Sequence, residues 1–178
     1  MLDGTGGVWY NLISEVMHMN VELRPVSEAD RSLIENLFNL YQNDLSAYCS
    51  DFDYLDADGY FDRSACRDVL PFGDGVYGYI ITENGKNAGF ILMTDGTYAL
   101  EKCDYSFQEL YLVRPARGRG LALAAAHSLL KRGRWCLSVY TDNLPARRFW
   151  DRLIALCGKN KRTRPGQNGM TDYFFEVE

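Results

Sequence analysis

The sequence predicts a mixed α/β domain, and three observations carry that expectation. Apolar strand-like runs alternate with segments of helical spacing in the order β-α-(α)-β-β-β-α-β-α-β. Two central runs face each other across an Asn-Gly step, a hairpin signal that makes part of the sheet antiparallel. No internal repeat or linker divides the chain, and its 178 residues suit one domain with a sizeable core.

Taken in order, VELRPV from Val21 reads as the first strand. Ser27 followed three residues later by Asp30 is a capping-box pattern. The helix it opens carries apolar residues at Leu33, Ile34, Leu37, Leu40 and Tyr41. The acidic, aromatic stretch Ser50–Asp62 is interrupted by Gly59 and predicts a loop or short helical turns. VYGYIITENGKNAGFILMTDG predicts two strands joined at Asn84-Gly85, and DYSFQELYLV a further strand. A helix is expected over Arg117–Arg132 and a strand over RWCLSVYTDN. PARRFWDRLIALCG, with proline at its start and glycine at its end, predicts the next helix. The tail KRTRPGQNGMTDYFFEVE predicts a loop and a last strand, with the basic run Lys159–Arg164 on the surface. Residues 1–19 precede the regular pattern as an N-terminal extension, either an over-long start or a short added helix (VWYNLISEVMHM). The domain itself covers residues 20–178.

Hydrophobic content of 47% and charged content of 24% are those of a globular protein. A net charge of −5 argues against a general nucleic-acid binder and is compatible with a small cationic partner. The five cysteines (Cys49, Cys66, Cys103, Cys136, Cys157) form no CxxC pair and read as reduced thiols of a cytoplasmic protein. With His18 and His127 they complete no metal-ligand cluster, so no metal is expected. No apolar run approaches the length of a membrane span, and the first residues lack the features of a signal peptide.

The chemistry concentrates at LYLVRPARGRGLALAAA, Leu110–Ala126, where a strand hands over to a helix. First-turn amides have no intrahelical partner, and the helix dipole adds partial positive charge there. Gly118 and Gly120 remove side chains that would keep an anion away, while Arg117 and Arg119 can add charge-assisted hydrogen bonds. The turn therefore reads as a phosphate or pyrophosphate site. The plainer reading is a tight turn with exposed arginines. A P-loop is excluded because GxxxxGK[ST] is absent. A dinucleotide fold fits poorly, since Leu123 stands where the third glycine belongs.

Arg117-Gly118-Arg119-Gly120-Leu121-Ala122 resembles the [QR]-x-x-G-x-[GA] motif of the GNAT superfamily of N-acetyltransferases, and Asn143–Trp150 (NLPARRFW) resembles its N-x-x-A-x-x-F-Y signature. The likeness runs element by element from about Val21 and is closest to a bacterial branch of small predicted acetyltransferases. It implies a single-domain GNAT fold whose mixed central sheet, flanked by helices, is splayed between the fourth strand (QELYLV) and the fifth (CLSVYT). Acetyl-CoA would lie in that opening as co-substrate. Its pyrophosphate would sit on the amides of Arg117, Gly118, Arg119, Gly120, Leu121 and Ala122. The pantetheine would pair with the backbone around Leu112 and Val113, one amide there stabilising an oxyanion. Asn143 would help hold the pantetheine, and Phe149 and Trp150 would pack nearby.

The resemblance further implies direct attack by an amine on the thioester, with no role for a cysteine. Trp150 stands where many members carry a tyrosine thought to protonate the departing thiolate, so the usual acid is missing. Tyr111 and Tyr140 are substitute acids, or simply aromatic filling of a strand face. The base matters more, because an alkylammonium of pKa about 10.4 must lose a proton whereas a thiol of pKa about 8.5 leaves readily. Glu109 is the candidate base: it shares a strand face with Tyr111, while Leu110 and Leu112 point the other way. Asp104 and an ordered water are its rivals. The acids and aromatics of Ser50–Asp62 would suit a cationic acceptor, or form a solvated loop. The expected activity is acetylation of a primary amine on a small, cationic molecule by a protein that could form a homodimer. A protein or peptide acetyltransferase and a non-catalytic acyl-CoA-binding module are the alternatives.

Overall fold

The computed structural model describes residues 21–52, 54–63, 75–96 and 100–178. The N-terminal extension with His18, and likewise Asp53 and Cys66, lie outside those residues. Strands β1 (Val21–Pro25), β2 (Val76–Glu83), β3 (Lys86–Asp95), β4 (Tyr105–Leu112), β5 (Gly133–Tyr140), β6 (Lys159–Pro165) and β7 (Met170–Val177) form one sheet. Their order is β1-β2-β3-β4-β5-β7-β6, antiparallel throughout except for the parallel pair β4–β5. Helices α1 (Arg31–Leu45), α2 (Leu121–Leu129) and α3 (Leu144–Cys157) cover it.

Local signals place most of these elements. Ser27 and Asp30 close the expected capping box, and Asp30 also takes a bidentate pair from Arg24 at 2.7 Å. Asn84 and Gly85 turn the β2–β3 hairpin with φ of 51° and 73°. Helix α2 begins at Leu121, later than the expected Arg117, because Gly118 and Gly120 hold φ of 77° and 86°. That conformation ends any helical path for the residues before Leu121. The basic run is strand β6 instead of a loop, and every residue in it is exposed. An edge strand wet on both faces has no apolar alternation to betray it. Its Arg164 pairs with Asp172 at 3.1 Å and its Lys161 with Asp151 at 2.6 Å, and such charges discourage edge-to-edge pairing.

Two cores sandwich the sheet. On one face Leu121, Leu123, Trp150, Leu153 and Ile154 of α2 and α3 pack on Ile91, Phe107, Trp135 and Phe175. On the other, Ile34, Leu37 and Phe38 of α1 pack on Ile80, Phe90, Leu92 and Tyr111. Leu40, expected on the apolar stripe, is 48% exposed.

Two irregularities shape the centre. The β4–β5 ladder holds only at Tyr105↔Trp135 and Ser106↔Cys136, after which the strands part. On the β3 side of β4 the register slips between Leu92↔Glu109 and Met93↔Phe107, leaving Gln108 as a bulge. Phe107 therefore joins the Trp135 and Trp150 rings at 4.8 and 5.1 Å, although Glu109 and Tyr111 face α1. Without the bulge, residues 107, 109 and 111 would share one face.

The outer end of β4 is set by its approach to Gly89. A Cβ built there would lie 1.9 Å from the Tyr111 carbonyl oxygen and 2.9 Å from Leu112 Cα. Gly89→Ala must push β4 away, so it should cost about 1–3 kcal/mol in a denaturant melt. An unchanged melt would show that β4 is not held so tightly.

Candidate active site

The parting of β4 and β5 leaves backbone groups of β4 without a strand partner. Val113 N donates to Ala88 O at 2.9 Å, so the residue just past β4 is turned toward β3. By alternation the amides of Leu112 and Leu110 face the open edge. This corrects one expectation: Leu112 offers its amide to the opening, whereas Val113 does not. At the end of this edge comes the glycine turn. The first backbone bond of α2 runs from Ala124 N to Gly120 O at 3.0 Å, so the amides of Leu121, Ala122 and Leu123 precede any helical bond.

The arginines of the turn are already engaged, which the sequence did not reveal. Arg119 makes a bidentate pair with Glu83 at 2.7 and 2.8 Å. The Arg117 guanidinium donates to Leu112 O at 2.7 Å and to Asp44, which also accepts from Arg114 at 3.0 Å. Burial pushes the Asp44 carboxyl up, but these arginines outweigh it and hold it below its usual range. Amides and glycines, then, are what the turn holds open; its guanidiniums tie it to α1 and β2.

Below the turn lies a cleft of about 1460 Å³. Its walls include Leu110, Leu112, Gly118–Ala122, Asn143, Phe149 and Trp150. The side-chain oxygen of Asn143 accepts from Ala146 N at 3.2 Å and caps α3. Trp150 is 7% exposed and packs in the core, tilted against Phe107, with Phe149 edge-on at 4.8 Å. The indole is a packing group at the cleft wall.

On the α1 face the cleft holds its ionisable groups. Glu109 sits there with Tyr111 on β4, and Tyr140 ends β5 across the opening. Burial pushes the Glu109 carboxyl up to about 7, against a lowering hydrogen bond from the Tyr41 hydroxyl. Burial raises Tyr140 above its usual value, and the neighbouring Cys49 thiol raises it further. Tyr111 is 6% exposed and lies under Arg117, 5.2 Å from ring to guanidinium, toward the glycine turn. Asp104 is removed as a rival base: Arg134 donates to it from side chain and amide at 2.8 to 3.2 Å and holds its carboxyl low, at the closed end of the strand pair.

The described part of Ser50–Asp62 divides between the cleft wall and a self-organised turn. Phe52 lines the cleft, whereas Asp56 accepts from Asp58 N and Tyr60 N at 2.9 Å and organises its own turn. Asn39 and Gln42 of α1 grip this loop through Gly59 O, Phe61 N and Asp62 O at 3.0 to 3.1 Å. The site residues missed in the sequence are Tyr41, Asp44 and the Asn39–Gln42 clamp. Gln42, a buried carboxamide on an apolar helix stripe, was the available signal for the clamp.

Among the described residues no cluster of His, Cys, Asp or Glu could hold a metal ion, and no helix is long and apolar enough to cross a membrane. No protein-family model matches the chain, and no curated protein matches it. Solved structures do. A GNAT-family acetyltransferase from Streptococcus agalactiae 2603 matches with TM-score 0.66 at 18% identity, over 89% of this chain and 96% of that one. AAC(6')-Ib in complex with ribostamycin and coenzyme A matches with TM-score 0.63 at 14% identity, over 89% and 94%. NAA60 of Arabidopsis thaliana in complex with acetyl-CoA matches with TM-score 0.56 at 17% identity, over 87% and 96%. The fold is the GNAT acetyltransferase fold, as the motifs implied.

The placement of Glu109 has a measurable consequence. Its carboxyl stands at about 7 in the fold against an ordinary 4.5, so folding favours the protonated form. The margin is complete below the ordinary value and is lost as pH rises through about 7. Relative to Glu109→Gln, which cannot titrate, the wild type should lose roughly 2–3 kcal/mol of unfolding free energy between pH 4 and 8. A pH-independent difference in denaturant melts would show that Glu109 is solvated.

Proposed function

We propose that the chain is an acetyl-CoA-dependent N-acetyltransferase that acts on a primary amine of a small molecule. The observation that carries this reading is one cleft joining an unpaired β4 edge, a glycine turn of unpartnered amides and a half-buried carboxylate. The first two suit the pantetheine and the pyrophosphate: Leu110 and Leu112 offer amides along the edge, and Gly118 to Leu123 offer an anion seat. Acetyl-CoA would supply the activated acyl group. That AAC(6')-Ib was solved with ribostamycin and coenzyme A, and NAA60 with acetyl-CoA, supports a GNAT cleft used for these ligands.

The residues on the α1 face then divide the proton work. An ammonium must become neutral before its nitrogen attacks a thioester carbonyl. Glu109 titrates close to neutral pH, where a base can both accept that proton and release it. Tyr41, Tyr48, Phe52 and Tyr140 surround the site with aromatic faces that favour a cation. Tyr140 keeps its proton at neutral pH and lines the cleft, which supports it as the acid for a departing thiolate. A thiolate of pKa near 8.5 needs little help, which fits a protein with Trp150 in place of the usual tyrosine.

Thiol release from acetyl-CoA with a panel of small primary amines tests the reading. Release should depend on the amine, and Glu109→Gln should lower kcat/KM by about 100- to 10,000-fold, the range of a general base, with CoA affinity unchanged. Gly120→Val, branched at the anion seat, should abolish most CoA affinity in calorimetry on the folded protein. Saturable CoA binding without release by any amine would make the chain a binding module instead.

A further inference from the structure

We propose that Tyr41 is the positioning residue for the base: its hydroxyl, fixed on α1, holds the Glu109 carboxylate in the cleft opposite Tyr140. The inference rests on the acetyltransferase reading for its kinetic consequences and on geometry alone for the placement of the carboxylate.

The Tyr41 hydroxyl donates to Glu109 Oε2, a contact between residues 68 apart in sequence. Among the described residues it is the hydrogen-bond partner of that carboxylate. The Tyr41 ring is fixed independently of this bond. Phe38 and Phe90 meet it edge-on at 5.7 and 5.9 Å, and Tyr111 lies 5.9 Å away. The hydroxyl is thus set by the packing of α1 on the sheet, and Glu109 is set by the hydroxyl. With one oxygen engaged, the other can meet an incoming ammonium.

The donor also decides which form Glu109 takes. Among apolar neighbours a carboxyl prefers to stay neutral, and an O–H donor favours the ionised form that a base requires. Burial and the facing carboxylate push the Tyr41 phenol well above its usual value, so it remains a donor. Among the described residues the groups that act on or surround Glu109 are Tyr41 from α1 and Tyr140 from β5, with Tyr111 on its own strand and Cys49 and Asp51 beside Tyr140. None is a cation that could take over the role. The same helix presents Asp44, one turn later, to Arg114 and Arg117. A single element therefore holds the base together with Arg114 and Arg117, while Arg119 is held by Glu83 of β2.

Tyr41→Phe keeps the ring and removes the donor. Two measurements on the whole chain read the result: the carboxyl titration of Glu109 by carbon NMR, assigned with Glu109→Gln, and kcat/KM across pH with an amine that turns over. The titration should move up by about 1 pH unit. Then kcat/KM should fall about fivefold at pH 7 and recover above pH 9, because the ionised fraction is what changes. In a Glu109→Gln background Tyr41→Phe should have no further effect. An unmoved titration, or a loss that is equal at every pH, would overturn the proposal. So would unfolding of Tyr41→Phe, since phenylalanine retains the packing assigned to the ring. A titration that moves in a protein that acetylates no amine would uphold the positioning and overturn the acetyltransferase reading.

Discussion

Everything functional in this molecule depends on where the parallel ladder between β4 and β5 stops. After Ser106↔Cys136 the strands part, and a sheet that is otherwise continuous acquires an internal edge. An internal edge is costly unless something satisfies its donors, because buried amides are rarely left unpaired. Here Leu112 O accepts from Arg117, while the amides of the same edge face a cleft large enough for an extended ligand. Phe107 stacks on Trp135 and lies tilted against Trp150, and the three rings fill the space beneath the fork.

The bulge at Gln108 follows from the same geometry. It lets β4 send Phe107 into the core under α2 and α3 and, immediately afterwards, send Glu109 to the α1 face. A regular strand could not do both, since its side chains alternate strictly. The bulge thus converts a core strand into a site strand within a few residues. Helix α1 completes the arrangement from above. Its polar residues Tyr41, Gln42 and Asp44 bond Glu109, the Asp62 carbonyl of the following loop and Arg117. The exposed ion pairs Arg119–Glu83 and Arg114–Asp44 contribute little to stability and can exchange partners readily. That suits groups beside an anion seat.

Local chemistry was legible in the sequence. The capping box at Ser27 and Asp30, the Asn84-Gly85 turn and the paired motifs around Gly120 and Asn143 all act within a few residues, so spacing exposes them. The face shared by Glu109 and Tyr111 was legible because both lie beyond the bulge. Relations between distant segments were hidden. Nothing local tells Tyr41 from its apolar neighbours on the helix stripe, or assigns Asp44 and Glu83 to the arginines of the turn. Strand β6 was missed because both of its faces are wet, and the start of α2 was placed early because two left-handed glycines stand before it. The Ser50–Asp62 acids could be read as an acceptor lining or as a solvated loop, and of them Asp56 serves its own turn.

On the proposed reading, CoA lies along the β4 edge and against the start of α2. Titration of isotope-labelled protein with CoA, followed by amide resonances, tests it most directly. The account predicts that the largest saturable shifts fall on Leu110, Leu112 and the amides from Gly118 to Leu123. Binding that leaves those resonances in place, or that moves instead the surface hollow lined by Cys103 and Phe174, would contradict it.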